Sequence, residues 1–397
     1  MKVIADELKS QMSGSSWIRK MFEKGIELKK EVGADKVFDF SLGNPDIPPP
    51  ARIREVMIRL ADEVDKPFGL GYCPNAGFPP FREALARKLS VQQGLALGAE
   101  HLVVICGAAG ALVAFFRAVL EPGDEVICPA PYFVEYGFYC GHFGGRLRPV
   151  PAIKPDFQPD IDAMEAAITG KTRVILINTP NNPTGCVYSQ ATLEKLAALV
   201  NRVNEGRERP IFLVSDEPYR FISYDGLKVP AVLPLSPYAV VMGSFSKTLS
   251  LAGERVGYMA VNPSLPDAGL LVSAVTMTNR TLGYVNAPIL GQKIAMTLLD
   301  EGVDLPTYAR RRDMMAKVLT DAGIRFSMPK GTFYFFPEAP GGDDVAFVQA
   351  LLEQNVLGVP GSGFGYPGHF RLSFSVQERV ITGSAEGFKR AVASIKK

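Results

Sequence analysis

Histidine and tryptophan are scarce in this chain of 397 residues, which has three of the first and one of the second. His101, His142 and His369 stand far apart, so neither a histidine-rich metal centre nor a Ser-His-Asp triad has the material it needs, and no metal site is expected. The five cysteines, Cys73, Cys106, Cys128, Cys140 and Cys186, are odd in number, dispersed and free of any C-x-x-C pair. They fit neither a disulfide framework nor a zinc ribbon and read as small buried apolar side chains. An excess of one charge is missing too: 43 lysines and arginines face 41 aspartates and glutamates, for a net charge of +2. That balance argues against nucleic acid as a partner, and any anion is expected to be held locally. No stretch approaches the roughly 18 consecutive apolar residues of a membrane span. The opening MKVIADELKSQMSGSSWIRKMFEKG mixes charged with apolar residues and lacks the apolar centre of a signal peptide. The expectation is a cytoplasmic protein with no membrane partner, whose chemistry rests on groups other than imidazole or a metal.

What is present is a long alternation. The length exceeds the usual span of about 100 to 200 residues for one domain and predicts two lobes with a sizeable core. In the middle of the chain PPFREALARKLSVQQG reads as a helix, HLVVICG as a strand and ALVAFFRAVL as a helix stopped by EPGD. EVICPA, TRVILINTP, PIFLVSDEPY and AVVMGSFSK follow as strands, with the helix SQATLEKLAALVNRVNEG among them. This order predicts an α/β fold, a mainly parallel sheet with helices on both faces. From about Asn286 the pattern changes to the helical stretches APILGQKIAMTLLDEG and PTYARRRDMMAKVLTDAG, then to GTFYFFPE, VAFVQALLEQN and HFRLSFS, which predict a smaller α+β lobe. The N-terminal helix is expected to join that lobe, because the Pro-rich link FDFSLGNPDIPPP sets it apart from the sheet. The predicted division is a large domain at 45–285 and a small one formed by both termini, 1–44 and 286–397.

Open α/β sheets bind ligands at the carboxyl ends of their strands, so the polar residues just after each apolar run are the candidates. HLVVIC is followed by Gly107-Ala108-Ala109-Gly110, a small-residue turn into a helix whose free N–H groups suit a phosphate. VILINTP is followed by Asn182, PIFLVS by Asp216 and Tyr219, and AVVMG by Ser244, Ser246 and Lys247, with Arg255 beyond. Taken singly, each has a plainer reading: helix packing for the small residues, a cap or turn for Asp216 and Asn182, a solvated side chain or surface ion pair for Lys247 and Arg255. Taken together they offer an amine, a carboxylate, an amide, a phenol and a phosphate cradle. Pyridoxal 5'-phosphate needs such a set: an amine for a Schiff base, a carboxylate for its ring nitrogen, donors to its phenolic oxygen, and cations with N–H groups for its phosphate.

In whole motifs the chain resembles the fold-type I pyridoxal-phosphate enzymes, and among them the class I and II aminotransferases, from LGNPD to FRLSFS. SFSKTLSLAGERVGY, NTPNNPTG and SDEPY stand in that family's order. The resemblance implies that Lys247 forms the Schiff base and then carries the proton between the substrate's α-carbon and the cofactor. It implies that Asp216 pairs with the pyridinium nitrogen, that Asn182 and Tyr219 donate to the phenolic oxygen, and that Asn182 also borders the substrate. Ser244, Ser246 and Arg255 would hold the phosphate with Gly107, Ala108 and Ala109. The family usually has Ser-Gly-Thr or a similar polar trio at those last three positions, so backbone amides would carry more of the contact here. Phe133 in PAPYFVEY matches the ring that stacks on the pyridine, and Tyr72 in GLGYCPNAG matches the tyrosine that reaches a partner's phosphate, which implies a homodimer with shared active sites. In HFRLSFS, Phe370, Leu372 and Phe374 alternate with Arg371, Ser373 and Ser375, predicting one apolar and one polar face. An arginine there could simply face solvent; the resemblance makes Arg371 the clamp for the substrate's α-carboxylate, helped by the N–H of Gly43. Trp17 and Ile18 resemble residues that close over the substrate.

The expected function is therefore transfer of an amino group between an L-amino acid and a 2-oxo acid. The alternative is a fold-type I lyase that eliminates a β or γ group from an amino acid. GSFSKT is not a P-loop, since Ser246 stands where a glycine must precede the lysine and Gly243 is too close. A transcription regulator with an aminotransferase-like domain would need an added DNA-reading domain for which the fold, starting in the first few dozen residues, leaves no room. The donor is open: the dicarboxylate-specific branch uses a partner arginine where Thr281 aligns, one position from Arg280.

Overall fold

Val174, Ile175, Leu176 and Ile177 are consecutive strand residues, and all four are fully buried. Neighbouring residues of a strand face opposite sides of the sheet, so such a run requires cover on both faces. The computed structural model describes residues 3–6, 8–9 and 17–395. They fall into two compact units, and this strand belongs to the larger, Pro45–Pro306 with Lys330–Thr332.

The larger unit holds a seven-stranded sheet in the order Leu102–Ile105, Gly257–Val261, Ala239–Ser244, Phe212–Asp216, Thr172–Asn178, Glu125–Ala130, Arg146–Pro151. Every pairing from Ala239–Ser244 to Arg146–Pro151 is parallel, while Gly257–Val261 is antiparallel to both of its neighbours. Val103, Val174, Leu176, Val240 and Met259 pack in one cluster with residues of the helices Gly107–Val119 and Ala268–Thr281. The intervening residues Ile175, Ile177, Leu213 and Val241 are just as fully buried on the opposite face. Each such aliphatic side chain contributes about 1.5 to 3 kcal/mol. The mainly parallel sheet with helices is thus the fold that the alternation predicted.

Two strands of this sheet escaped the sequence pattern. Arg146–Pro151, RLRPVP, carries two arginines and two prolines, which only an edge strand tolerates, and it lies at the edge of the sheet. Gly257–Val261 was hidden by the glycines and charges of the motif before it.

The smaller unit comprises Met1–Asn44, Thr307–Pro329 and Phe333–Lys397. Phe38–Asp39 pairs in parallel with Val356–Leu357, and Phe370–Ser373 lies between Val359–Pro360 and Tyr334–Phe335 in a three-stranded antiparallel sheet. The helix Asp344–Leu352 starts where Asp343 accepts from the Ala346 N–H. Residues 286–306 belong to the larger unit, contrary to the predicted boundary at 285/286. The reason is the helix Ile289–Thr297, which packs on the helices Ile53–Ala61 and Pro79–Gln93. Its fully buried Gln292 accepts from the Phe78 N–H at 2.8 Å and donates to Ala287 O at 2.7 Å. Among the described residues no helix is long and apolar enough to cross a membrane.

Candidate active site

The register of the large sheet brings most of the expected residues to one edge. Asn178 is paired with Asp216, Asp216 with Met242, and Ser244 with Gly257, so the ends of the three parallel strands lie side by side. Because Gly257–Val261 runs the other way, its beginning meets those ends, and Gly257 is paired with both Ser244 and Ile105. Arg255, two residues earlier, arrives at the same edge by that reversal. Gly107 opens its helix at φ +73°, and a Cβ on it would come 2.8 Å from the Arg255 Nη2. Gly257 in turn has no room for a side chain against the backbone of Gly107. The cradle thus joins the exposed Arg255 to the first-turn N–H groups of Ala108 and Ala109, which no capping side chain takes.

The lysine is not on the strand itself. Residues Phe245–Thr248 form a single helical turn, and Ser244 caps it by accepting from the Ser246 N–H at 3.1 Å. The Ser244 hydroxyl also donates to Ser246 Oγ at 2.8 Å, so the first serine of S-x-S-K is bound into the turn that presents Lys247. Lys247 is half-buried and Ser246 buried. In NTPNNPTG, Asn181 accepts from both the N–H and the hydroxyl of Thr184, closing the loop around Asn182. Asn178 accepts from the Asn182 N–H at 2.7 Å and donates to the main-chain oxygen of Asp216 at 2.8 Å. Asn182 and Tyr219 are buried. Phe133 lies half-buried before the helix Glu135–Gly141. Tyr72 is 89% exposed.

Two adjacent buried carboxylates at this edge are treated very differently. Glu217 accepts from the Arg220 guanidinium at 2.9 Å, from Ser215 Oγ at 2.9 Å and from Gln93 Nε2 at 3.4 Å. Asp216 has one side-chain donor, the Tyr136 hydroxyl at 2.6 Å from Oδ2, and its buried Oδ1 accepts nothing among the described residues. Burial pushes the Asp216 carboxyl up to about 7, against the pull of the Tyr136 phenol and with a further push from Glu217. A buried half-satisfied carboxylate is costly unless something completes it. Beside an anion cradle and a lysine, the missing piece has the chemistry of a cationic ring N–H, which is what pyridoxal phosphate presents. The residues present fit that cofactor. Tyr136, Asn178 and Ser215 were not singled out from the sequence; of these, Tyr136 alone carried a signal, three residues after the expected stacking ring.

In the smaller unit Arg371 is 2% exposed, so the polar face predicted for Phe370–Ser373 is as buried as the apolar one. Its guanidinium lies 4.6 Å from the Tyr334 ring centroid and 4.8 Å from that of Phe364, and donates to Ser41 O at 2.7 Å. A side chain at Gly43 would overlap the Tyr334 hydroxyl, which explains the glycine there. Trp17 packs against Gly363, next to Phe364. Tyr334 and Phe364 were not expected from the sequence. Arg280 and Thr281 are exposed at the last turn of Ala268–Thr281.

The family described as aminotransferase class I and II matches residues 35–387. An aspartate/prephenate aminotransferase of Thermus thermophilus is 33% identical over 377 residues, covering 93% of this chain and 94% of its own. An aspartate aminotransferase of Bacillus subtilis is 31% identical over 382 residues, covering 93% and 94%. The crystal structure of an amino transferase from Eubacterium rectale matches with a TM-score of 0.95 at 39% identity over 100% of both chains. The Thermus thermophilus aspartate aminotransferase with maleate matches with a TM-score of 0.87 at 29% identity, covering 98% of this chain and 100% of its own. The chain therefore belongs to the class I and II aminotransferases, enzymes that use pyridoxal 5'-phosphate to transfer an amino group between an amino acid and a 2-oxo acid.

Proposed function

We propose that Lys247 is the residue through which this transaminase holds its cofactor covalently and then moves the proton, and that Asp216 is the carboxylate paired with the cofactor's ring nitrogen. The observation that carries this reading is the buried Oδ1 of Asp216, which accepts nothing among the described residues while both oxygens of the neighbouring Glu217 are paired. When bound, pyridoxal phosphate supplies a carbonyl carbon that takes the substrate's amine and an electron-withdrawing ring that weakens the Cα–H bond. Asp216 answers the positive charge of that ring with a charge-assisted hydrogen bond in a buried setting. Asn182 and Tyr219 donate to the phenolic oxygen, Phe133 covers a face of the pyridine, and Asn182 also borders the substrate. Arg255, Ser244, Ser246 and the turn Gly107-Ala108-Ala109 hold the phosphate, its two charges met by a guanidinium and by the N–H groups of a 13-residue helix.

Lys247 would take the proton from the substrate's Cα and return it at C4′, so that water adding at Cα can release the oxo acid while the amino group stays behind on the cofactor. Arg371 binds the α-carboxylate, with the Gly43 N–H as a second donor, and Trp17 and Ile18 close over the substrate. Aspartate is the first donor to test, on the names of the relatives; Arg280 or Thr281 from a second copy would meet its distal carboxylate. A homodimer with shared active sites is part of the proposal. Tyr72 and Phe68, each 89% exposed on one loop, support cover by a second copy, with Tyr72 reaching the partner's phosphate.

The test is borohydride reduction of the loaded enzyme followed by peptide mapping, with the cofactor expected on Lys247. A label on any other lysine overturns the assignment. Incubation with L-aspartate and 2-oxoglutarate should yield glutamate in step with oxaloacetate, whereas ammonia released without added oxo acid would indicate elimination.

A further inference from the structure

The carboxylate of Asp216 is fixed by two separate devices. Its main chain is paired on both sides, with Asn178 and with Met242, and Asn178 Nδ2 donates to its main-chain oxygen at 2.8 Å. The strand end therefore cannot shift, and the freedom that remains is rotation of the side chain. Only the Tyr136 hydroxyl settles that rotation, by donating to Oδ2 at 2.6 Å. Tyr136 is 1% exposed and lies edge-on to Phe133, with ring centroids 5.6 Å apart and planes at 84°. It reaches both expected partners of the cofactor ring, the stacking aromatic and the carboxylate, from one short helix, Glu135–Gly141.

We propose that Tyr136 is a positioning residue of the transamination site, whose hydroxyl turns Asp216 so that Oδ1 is the oxygen offered to the cofactor and whose hydrogen bond favours the carboxylate form that receives it. This rests on the reading of Asp216 as the partner of the ring nitrogen. Tyr136 from the helix Glu135–Gly141 and Glu217 from its own segment act on the Asp216 carboxyl, Tyr139 of the same helix lies within reach of its charge, and the Lys247 amine follows the neighbouring strand Ala239–Ser244. Burial and Glu217 both favour the neutral acid, and the phenol's hydrogen bond favours the anion. The strand neighbours Asn178 and Met242 bring no charge. A buried carboxyl in this position captures a cationic ring only when ionised, so the donor acts on cofactor affinity rather than on the chemical step.

Tyr136→Phe tests the proposal because it keeps the edge contact with Phe133 and removes only the hydroxyl. Dissociation constants for pyridoxal phosphate are measured from pH 6.5 to 9 on the cofactor-stripped full chain, for the native protein, Tyr136→Phe and Asp216→Asn. The expected result for Tyr136→Phe is a deficit of about 5-fold at pH 7, the effect of raising a carboxyl already near 7 by about one pKa unit, which shrinks toward pH 9 as the carboxyl ionises unaided. A deficit that is the same at every pH would mean ring packing alone and overturn the proposal. So would unchanged affinity in Tyr136→Phe alongside weakened binding in Asp216→Asn. Native-like binding in Asp216→Asn would instead sink the reading of Asp216 itself. If Tyr136→Phe does not fold, 3-fluorotyrosine at position 136 decides the matter. Its stronger donor should tighten binding at pH 6.5 and leave pH 9 unaltered, and no change at pH 6.5 overturns the proposal.

Discussion

Asp216 and Arg371 are both buried charges, each within its own unit, and they are held by opposite means. Asp216 ends a strand in the middle of a mainly parallel sheet, receives one phenol, and keeps one oxygen without a partner among the described residues. Arg371 lies between two aromatic faces and donates to a main-chain carbonyl. The anion is left in a state that burial disfavours, so it is poised to be completed by a cation. The guanidinium, by contrast, has aromatic rings on it from two residues.

The sharpest way to break that contrast is Asp216→Asn in the cofactor-free protein. The folded-state value of about 7 lies above the ordinary value of 3.8, so between those limits the native chain holds a proton that the unfolded chain releases. Stability of the cofactor-free protein therefore falls as pH rises from about 4 to about 7, and the deficit is complete above that. Asp216→Asn should remove the slope and stabilise the cofactor-free chain at pH 8 by on the order of 3 kcal/mol in urea unfolding. Loading the cofactor should reverse the ranking, with the native protein the more stable of the two. A parallel pH dependence in both cofactor-free proteins would mean that Asp216 is already satisfied.

Arg371→Ala comes next, with KM for every amino acid rising about 30-fold, or about 2 kcal/mol, and cofactor affinity unaltered. A change in pyridoxal phosphate affinity in that variant would blur the division of labour between the two charges. The smallest effect is expected of Phe364→Leu, which removes one of the two π faces. KM should rise about 5-fold, or about 1 kcal/mol, with kcat nearly unchanged. If kcat falls while KM holds, the ring does more than steady the arginine.

Much of the large unit could be read in advance because its rules are local. Consecutive apolar β-branched residues in VILIN fit only a strand covered on both faces, and small or polar residues after each such run mark the binding edge. The turn at S-x-S-K was not legible: AVVMGSFSK read as one strand, whereas Ser244 ends the strand and caps a helical turn at Phe245–Thr248. The boundary near 286 was misread because helical periodicity says that one face is buried and not against which unit, and Gln292 answers to Phe78 from far along the chain. RLRPVP was passed over because composition alone does not identify an edge position.

The sequence by itself determined the fold class and supplied the candidates for the proposed site: a lysine, a carboxylate, an amide, a phenol and a phosphate cradle, placed near the ends of strands or the start of a helix. Strand and helix signals are short-range, and so is the rule that places ligands at strand ends. Only the tertiary structure decided which of two adjacent carboxylates is left open, that Arg255 arrives through a strand running backwards, and that Tyr136, Tyr334 and Phe364 hold the charges in place. Those contacts join residues distant in the chain, and the packing that selects them leaves no periodicity behind in the sequence.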